Sequence, residues 1–289
     1  MAEKKVFKIS DEQIKQMYLD GKSLNDIAKV AQDSKGLMAL RRRLQDLGVD
    51  TTKNMKRYSD KISKAGKHYT LDEHVFDVID TEEKAYWLGW YMTDGYNHQS
   101  KSSVTLRLQA RDIEILEKLK TFLKTDAPIL YINRKDKLGN VTQQSVELCV
   151  CSPYFCNSLA SWGVVQHKVH NKSIPNIPEK LLRHFIRGYF DGDGCFSVIK
   201  RNDRKKESSR TYQFTIAGNK EPLEFIKNYL IQQVGVGDTT LHHSSNLTYI
   251  LHYGGRIVCY KILDWLYKGA TVYLKRKYDK YKEYCISAE

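Results

Sequence analysis

Apolar residues between positions 10 and 50 recur in three short helical patterns: Ile14, Met17 and Tyr18; Leu24, Ile27 and Ala28; and Leu37, Leu40, Leu44 and Leu47. The last four follow steps of three, four and three, which places them on one face of a helix with 3.6 residues per turn. Ser10 with Gln13 reads as a capping box, Gly21 ends the first helix, and Ser23 or Asn25 starts the second. The second and third helices are joined by a short connection near residues 32 to 34, with small Ala28 where the helices must cross closely. The pattern predicts a helix-turn-helix module over 1–50.

From residue 71 the pattern changes and then repeats. Trp87–Gly95 (WLGWYMTDG) and Phe185–Gly194 (FIRGYFDGDG) are each an apolar helical stretch ending in Asp-Gly. Strand-like segments come next, 104–108 in the first copy and 196–199 with 212–216 in the second. A helix follows in each, 113–123 and 221–233, then further strands, 129–132 with 146–151 and 239–241 with 247–253. Helices near 154–162 and 257–266 close the copies. The aspartates Asp94 and Asp193 are 99 positions apart, so the chain is expected to hold two similar α+β halves related by a pseudo-two-fold.

Charge adds a partner to this picture. Among 289 residues, 47 Lys+Arg against 34 Asp+Glu leave a net charge of +13, which fits a polyanionic ligand whose phosphates the cations neutralise. With Leu37, Leu40, Leu44 and Leu47 inside, the third helix presents Lys35, Met38, Arg41, Arg42 and Gln45, the kind of face that enters a major groove. Residues 51–70 carry Lys53, Lys56, Arg57, Lys61, Lys64 and Lys67 against Asp60 and few large apolar groups, and read as a basic linker. A second basic stretch holds Lys200, Arg201, Arg204, Lys205, Lys206 and Arg210. Thr105, Arg107 and Gln109 alternate with Val104, Leu106 and Leu108, so Arg107 and Gln109 share an open strand face from which they can read guanine and adenine. No apolar run is long enough for a membrane span. The first residues lack a secretory core, and six cysteines are too few for a disulfide scaffold, so an intracellular setting, cytoplasmic or nucleoid-associated, is expected.

The chemistry falls on the Asp-Gly ends. Gly89 and Gly188 lie five residues before Asp94 and Asp193, and glycine inside a helix costs about 1 kcal/mol, which implies close approach of another backbone. If the two helices pack side by side there, the two carboxylates meet at one interface and require a cation between them. Oxygen donors without a Cys/His pattern favour Mg²⁺, with Mn²⁺ able to substitute. No ligand role is given to the backbone at Thr93. An EF-hand counted from Asp191 fails, because Asn202 stands where Glu is required. His167/His170, His242/His243 and Cys149/Cys151 lack the remaining ligands of a zinc site.

Over roughly residues 71 to 285 these motifs resemble those of the LAGLIDADG homing endonucleases. The resemblance implies an α+β fold of two αββαββα halves with saddle-shaped antiparallel sheets, spanning 71–176 and 177–289 behind the N-terminal module. It implies that Asp94 and Asp193 bind metal, and that a basic residue near each acid offsets charge; Lys172 and Lys277 match best, with Lys168 and Lys275 close behind. Gln109 and Asn219 correspond to the residues that orient water. The sheets would lie along the major groove of double-stranded DNA, with the acids above the minor groove. The first motif departs from the second in having Met92 where the second has Asp191, and Asp191 is expected to point away from the metal and to cap or contact the backbone. The expected activity is that of a monomeric, Mg²⁺-dependent, site-specific endodeoxyribonuclease with no obligate protein partner. The chain does not begin with a nucleophilic Cys or Ser, so a free-standing enzyme rather than a protein-splicing element is expected. A catalytically retired DNA-binding regulator or an RNA splicing maturase is the alternative, against which the presence of both acids weighs.

Overall fold

A computed structural model describes residues 9–22, 24–31, 37–49, 69–135, 141–165, 174–201, 209–245 and 248–286. The chain divides into two units, Met1–His68 and Tyr69–Glu289. Among the described residues, no helix is long and apolar enough to cross a membrane.

The first unit contains helices α1 (Asp11–Leu19), α2 (Leu24–Val30) and α3 (Leu37–Asp46). The capping box is present: Gln13 N donates to Ser10 Oγ at 3.3 Å, and Ser10 N donates to Gln13 Oε1 at 3.0 Å. Gly21 follows α1 with φ +88°, a left-handed conformation that favours glycine. Ile14, Tyr18, Ile27, Ala28, Leu40 and Leu44 bury one another, joined by Val49 beyond α3. Arg43 of α3 pairs with Asp11 of α1 and fixes the angle between these helices.

The second unit is mixed α+β, with two antiparallel four-stranded sheets. Its first half runs α4 (Glu82–Thr93), β1 (Gly95–His98), β2 (Ser103–Gln109), α5 (Ile113–Phe122), β3 (Ile129–Lys135), β4 (Val141–Cys151) and α6 (Pro153–Ser161). The second half runs α7 (Glu179–Asp193), β5 (Gly194–Arg201), β6 (Ser209–Gly218), α8 (Lys220–Val234), β7 (His242–Ser245), β8 (Thr248–Gly254) and α9 (Arg256–Tyr267), and α10 (Lys275–Ile286) follows. The sheet orders β1-β2-β4-β3 and β5-β6-β8-β7 are the same path traced twice. Val104, Leu106 and Leu108 are buried beside Val146, Leu148 and Val150, while Arg107 and Gln109 remain exposed, as the alternation requires.

Three elements depart from the sequence expectation. A short strand, β1, precedes the one expected in the first half; its sequence GYNH carries little strand signal, and buried Asn97 is held by the carbonyls of Cys156 and Val164, each at 2.8 Å. The strand expected at 239–241 lies at His242–Ser245, an exposed edge strand without an apolar face. The tail beyond residue 274, to which the sequence pattern assigns no element, is a helix, seated by buried Tyr281 and Tyr284.

Candidate active site

Helices α4 and α7 form the centre of the unit and pack against each other more extensively than any other two elements. Every residue from Ala85 to Met92 is buried, so beyond its charged first turn α4 is apolar all round. Contact is made at the glycines. A Cβ on Gly89 would stand 2.7 Å from Tyr189 N and closer still to the Phe185 carbonyl oxygen. One on Gly188 would stand 2.9 Å from the Tyr86 carbonyl carbon and closer still to its oxygen. These contacts are reciprocal, because Phe185 is to Gly188 what Tyr86 is to Gly89; such an exchange is the mark of a two-fold. The contacts advance in the same direction along both helices, so α4 and α7 run parallel and their C-terminal ends lie side by side.

Asp94 caps α4, its N–H donating to Trp90 O at 3.0 Å, and Asp193 is the last residue of α7. Asp94 is half-buried and Asp193 exposed. Gly192 brings the two ends together: a Cβ there would meet Thr93 and would lie 3.1 Å from Asp94 Oδ2. The Asp94 carboxylate therefore lies against the backbone immediately preceding Asp193. Two helix C-termini, each carrying partial negative charge, meet here beside the Asp94 carboxylate, and Asp193 follows directly on the Gly192 backbone. Both donors are hard oxygens, and the bare Gly192 leaves the space beside Asp94 Oδ2 unfilled, so the set fits a Mg²⁺-type ion. Among the described residues, no group of three or more His, Cys, Asp or Glu forms a metal cluster.

Beneath α7 lies a buried polar hub. Lys277 of α10 is 5% exposed, and its Nζ donates to the carbonyls of Phe190 at 2.5 Å, Asp191 at 2.9 Å and Gly194 at 2.5 Å. Its ammonium thus adds a donor at the end of α7, sharing the Phe190 carbonyl with the Gly194 N–H. Burial lowers its pKa to about 8, while Asp191, and to a smaller extent Asp94, favour the charged form. Asp191 is buried and accepts from Tyr86 Oη at 2.8 Å, Tyr267 Oη at 2.5 Å and Leu274 N at 2.8 Å. Burial raises its pKa, against Lys277 and these donors. Its carboxylate is occupied inside the protein.

A groove of about 280 Å³ opens beside Asp94, lined by Arg107, Gln109, Asp112, Arg134 and Arg276. Of the residues expected at the site, Asp94 and Gln109 meet here. Arg107 lines the same groove and is held by Glu147 Oε2, at 2.7 Å from Nε and 2.5 Å from Nη2. Arg276 reaches across from α10 to Asp112, Nε to Oδ1 at 2.8 Å. Lys275 sits on α10 paired with Asp279, away from the α7 carbonyls that Lys277 holds. Asn219 is half-buried at the N-cap of α8, directly after β6. Arg210 is exposed on β6 and Gln45 exposed on α3. Arg41 and Arg42 occupy α3, and Lys200 and Arg201 occupy β5. Lys35, Lys53, Lys56, Arg57, Lys168, Lys172, Arg204, Lys205 and Lys206 lie outside the described residues. Arg134, Glu147 and the Asp112–Arg276 pair escape sequence reasoning; for Arg134 and Glu147 the available signal is two-residue alternation along β3 and β4.

Residues 186–286 match the family model described as LAGLIDADG endonuclease. The LAGLIDADG match begins within α7 and ends with α10, so it spans Asp191, Asp193 and Lys277. Over 129 residues, 45% of the chain, the sequence is 30% identical to a protein named reverse gyrase from Methanocaldococcus jannaschii, of which it spans 7%. Among solved structures, the chain is similar to the LAGLIDADG homing endonuclease I-SmaMI bound to cleaved DNA, with a TM-score of 0.45 and 16% identity over 72% of this chain and 88% of that one. It is similar to I-LtrWI bound to target DNA, with a TM-score of 0.46 and 12% identity over 73% and 89%.

Proposed function

We propose that the chain is a monomeric, site-specific double-strand DNA endonuclease of the LAGLIDADG type. The observation that carries this reading is the parallel, reciprocal pairing of α4 and α7, which ends in one carboxylate from each half. Asp94 and Asp193 would hold divalent cations, Mg²⁺ or Mn²⁺. When bound, these ions would supply an activated water and charge stabilisation for the leaving oxygen.

The protein's own groups then have separate tasks. Gly89 and Gly188 set the spacing of the helices and so of the acids. Lys277 holds the end of α7 through three carbonyls and keeps a positive charge close to the anionic notch. Gln109, beside Asp94, and Asn219, at the matching strand end of the second half, orient water. Each sheet turns one face to its helices and leaves the other open to a duplex, where Arg107 and Gln109 meet base edges; Arg210, exposed at the outer end of β6, meets a phosphate. Lys35, Arg41, Arg42 and Gln45 of the helical module extend the footprint, and Lys53, Lys56 and Arg57 track the backbone. Lys172, Lys200, Arg201, Arg204, Lys205 and Lys206 add cations along the same path.

The test is one gel. Plasmid carrying the gene's own genomic flanks, incubated with the protein and Mg²⁺, is expected to be cut at one site, and EDTA is expected to stop the reaction. Specific binding without metal-dependent cutting would overturn the enzyme reading in favour of a DNA-binding regulator.

A further inference from the structure

Lys277 and Arg276 are neighbours in the first turn of α10, yet they lie in different surroundings. An ammonium has three N–H donors, and Lys277 gives them to the carbonyls of Phe190, Asp191 and Gly194. It has none left for a ligand. Arg276 has a side chain that is 40% exposed, and it lines the groove beside Asp94 and Gly192. Most of that groove belongs to the first half, so the last helix of the second half supplies it with a cation. Asp112, just before α5, aims this cation. Its side chain is 8% exposed, a burial that a carboxylate tolerates only with a partner, and Arg276 Nε donates to its Oδ1 at 2.8 Å. Lys118 of α5 supports the approach by donating to Tyr273 O at 3.4 Å, with its ammonium 5.2 Å from the centre of the Tyr273 ring. Among the described residues, the two Nη groups of Arg276 have no hydrogen-bond partner. The other arginines of the groove are placed differently: Arg107 is committed to Glu147, and Arg134 lies exposed on the edge strand β3.

Resting on the endonuclease reading, we infer that Arg276 is a catalytic residue that binds the scissile phosphate of one strand, the one nearer Asp94, and that Asp112 is a positioning residue acting through it. A guanidinium fixed at Nε still offers Nη1 and Nη2 side by side, a spacing that matches two phosphate oxygens. Hydrolysis places the hydroxyl of water on phosphorus and its remaining proton on the departing sugar oxygen. Between these events negative charge builds on the two non-bridging oxygens, where the fork sits. Lysine in the same place would be a point charge without that fork. Arg276 stands in the groove of Asp94, so its help goes to one strand and the two cuts are chemically unequal.

The test uses the full chain. Its target is selected from a randomised duplex library in EDTA, and Mg²⁺ is then added to map the cut in each strand. The informative variant is Arg276→Gln, because glutamine places an amide nitrogen where arginine has Nε and so keeps the bond to Asp112 while losing the fork. It is expected to slow the cut in one strand at least about ten-fold and in the other less than about two-fold, so that nicked duplex accumulates. Arg276→Lys, which keeps the charge, is expected to fall between the variant and the wild type. Asp112→Ala is expected to slow the same strand, and the double variant Asp112→Ala/Arg276→Gln to be no slower than Arg276→Gln alone, a non-additivity that a purely structural role for Asp112 would not produce. A second readout needs no metal. In EDTA, a neutral methylphosphonate in place of the scissile phosphate of that strand is expected to weaken binding of the wild type about five-fold and to leave binding of Arg276→Gln unchanged. Equal slowing of both strands, wild-type cutting of both by Arg276→Gln, or a methylphosphonate effect that survives in Arg276→Gln would overturn the inference and leave the endonuclease reading standing. No enriched duplex, or no Mg²⁺-dependent cut in it by the wild-type chain, would overturn both.

Discussion

Helices α4 and α7 share a spine of glycine and aspartate, yet they differ at positions turned into the protein. Leu88 of the first stands where the second has Arg187, Met92 stands where it has Asp191, and Ala85 where it has His184. On α4 these positions enter an aromatic core with Trp87, Trp90 and Tyr91. On α7 they bind the end of α9 and the segment after it: Arg187 donates to Leu266 O at 3.2 Å and Val272 O at 3.0 Å, and Asp191 accepts from Tyr267 and Leu274, while Arg187 also donates to Glu82 Oε1 of α4 at 2.6 Å. The comparison separates two roles. Bringing the acids together depends on shape, which is the same in both helices; attaching the additional helix α10 depends on buried polarity, which only α7 has.

The largest expected effect tests that separation directly. Asp191→Ala would strand the hydroxyls of Tyr86 and Tyr267, the Leu274 N–H and the Lys277 charge, and should cost about 3–5 kcal/mol in urea unfolding. Met92→Ala, which removes only packing, should cost about 2 kcal/mol. A smaller loss for Asp191→Ala than for Met92→Ala would break the contrast. Next come the glycines. Gly89→Ala and Gly188→Ala each push a methyl into a backbone carbonyl of the opposite helix, for about 1–3 kcal/mol. The two losses should match, and tolerance at one site alone would mean that the packing is not two-fold.

The smallest effect is a pH dependence at His184 of the second copy. His184, half-buried beside Arg187, has its pKa lowered to about 4 by burial first and by that cation second. The folded state therefore keeps it neutral while the unfolded chain binds a proton below about 6.5. Its contribution is complete above about pH 6.5 and is lost as pH falls towards 4. His184→Gln, which can still accept from Arg187, should flatten unfolding free energy across that window. The lowered pKa of Glu82 has the same sign and persists in the variant, and the raised pKa of Asp191 has the opposite sign. An unchanged pH slope in His184→Gln would show that another group carries it.

Much of this architecture can be read from residues close in sequence. The steps between Leu37, Leu40, Leu44 and Leu47 report a helix because one face repeats every 3.6 residues, and Val104 to Gln109 report a half-buried strand because side chains alternate. Gly89 and Gly188 are legible for a different reason: glycine is costly in a helix and needs a neighbour to explain it. Missing are features that exist only through tertiary contact. Nothing near Arg187 or Asp191 indicates that each will be buried, because, His184 beside Arg187 apart, their side-chain partners lie 76 to 105 positions away. The helix α10, KRKYDKYKEYCI, is polar enough to pass for a tail; its few apolar positions matter only once Tyr281 meets Tyr267 of α9 and Tyr284 meets Phe196 and Tyr212 of the second sheet. In β7, HHSS, hydrogen bonding to β8 supplies a strand that composition does not announce.

A shared acidic centre is tested most directly by the isosteric variants Asp94→Asn and Asp193→Asn, scored for cleavage of each strand of the selected duplex alongside binding in EDTA. If one cation-filled notch serves both strands, either variant alone stops the cutting of both while affinity for the duplex is retained. A variant that still cuts either strand at the wild-type rate would contradict a shared centre.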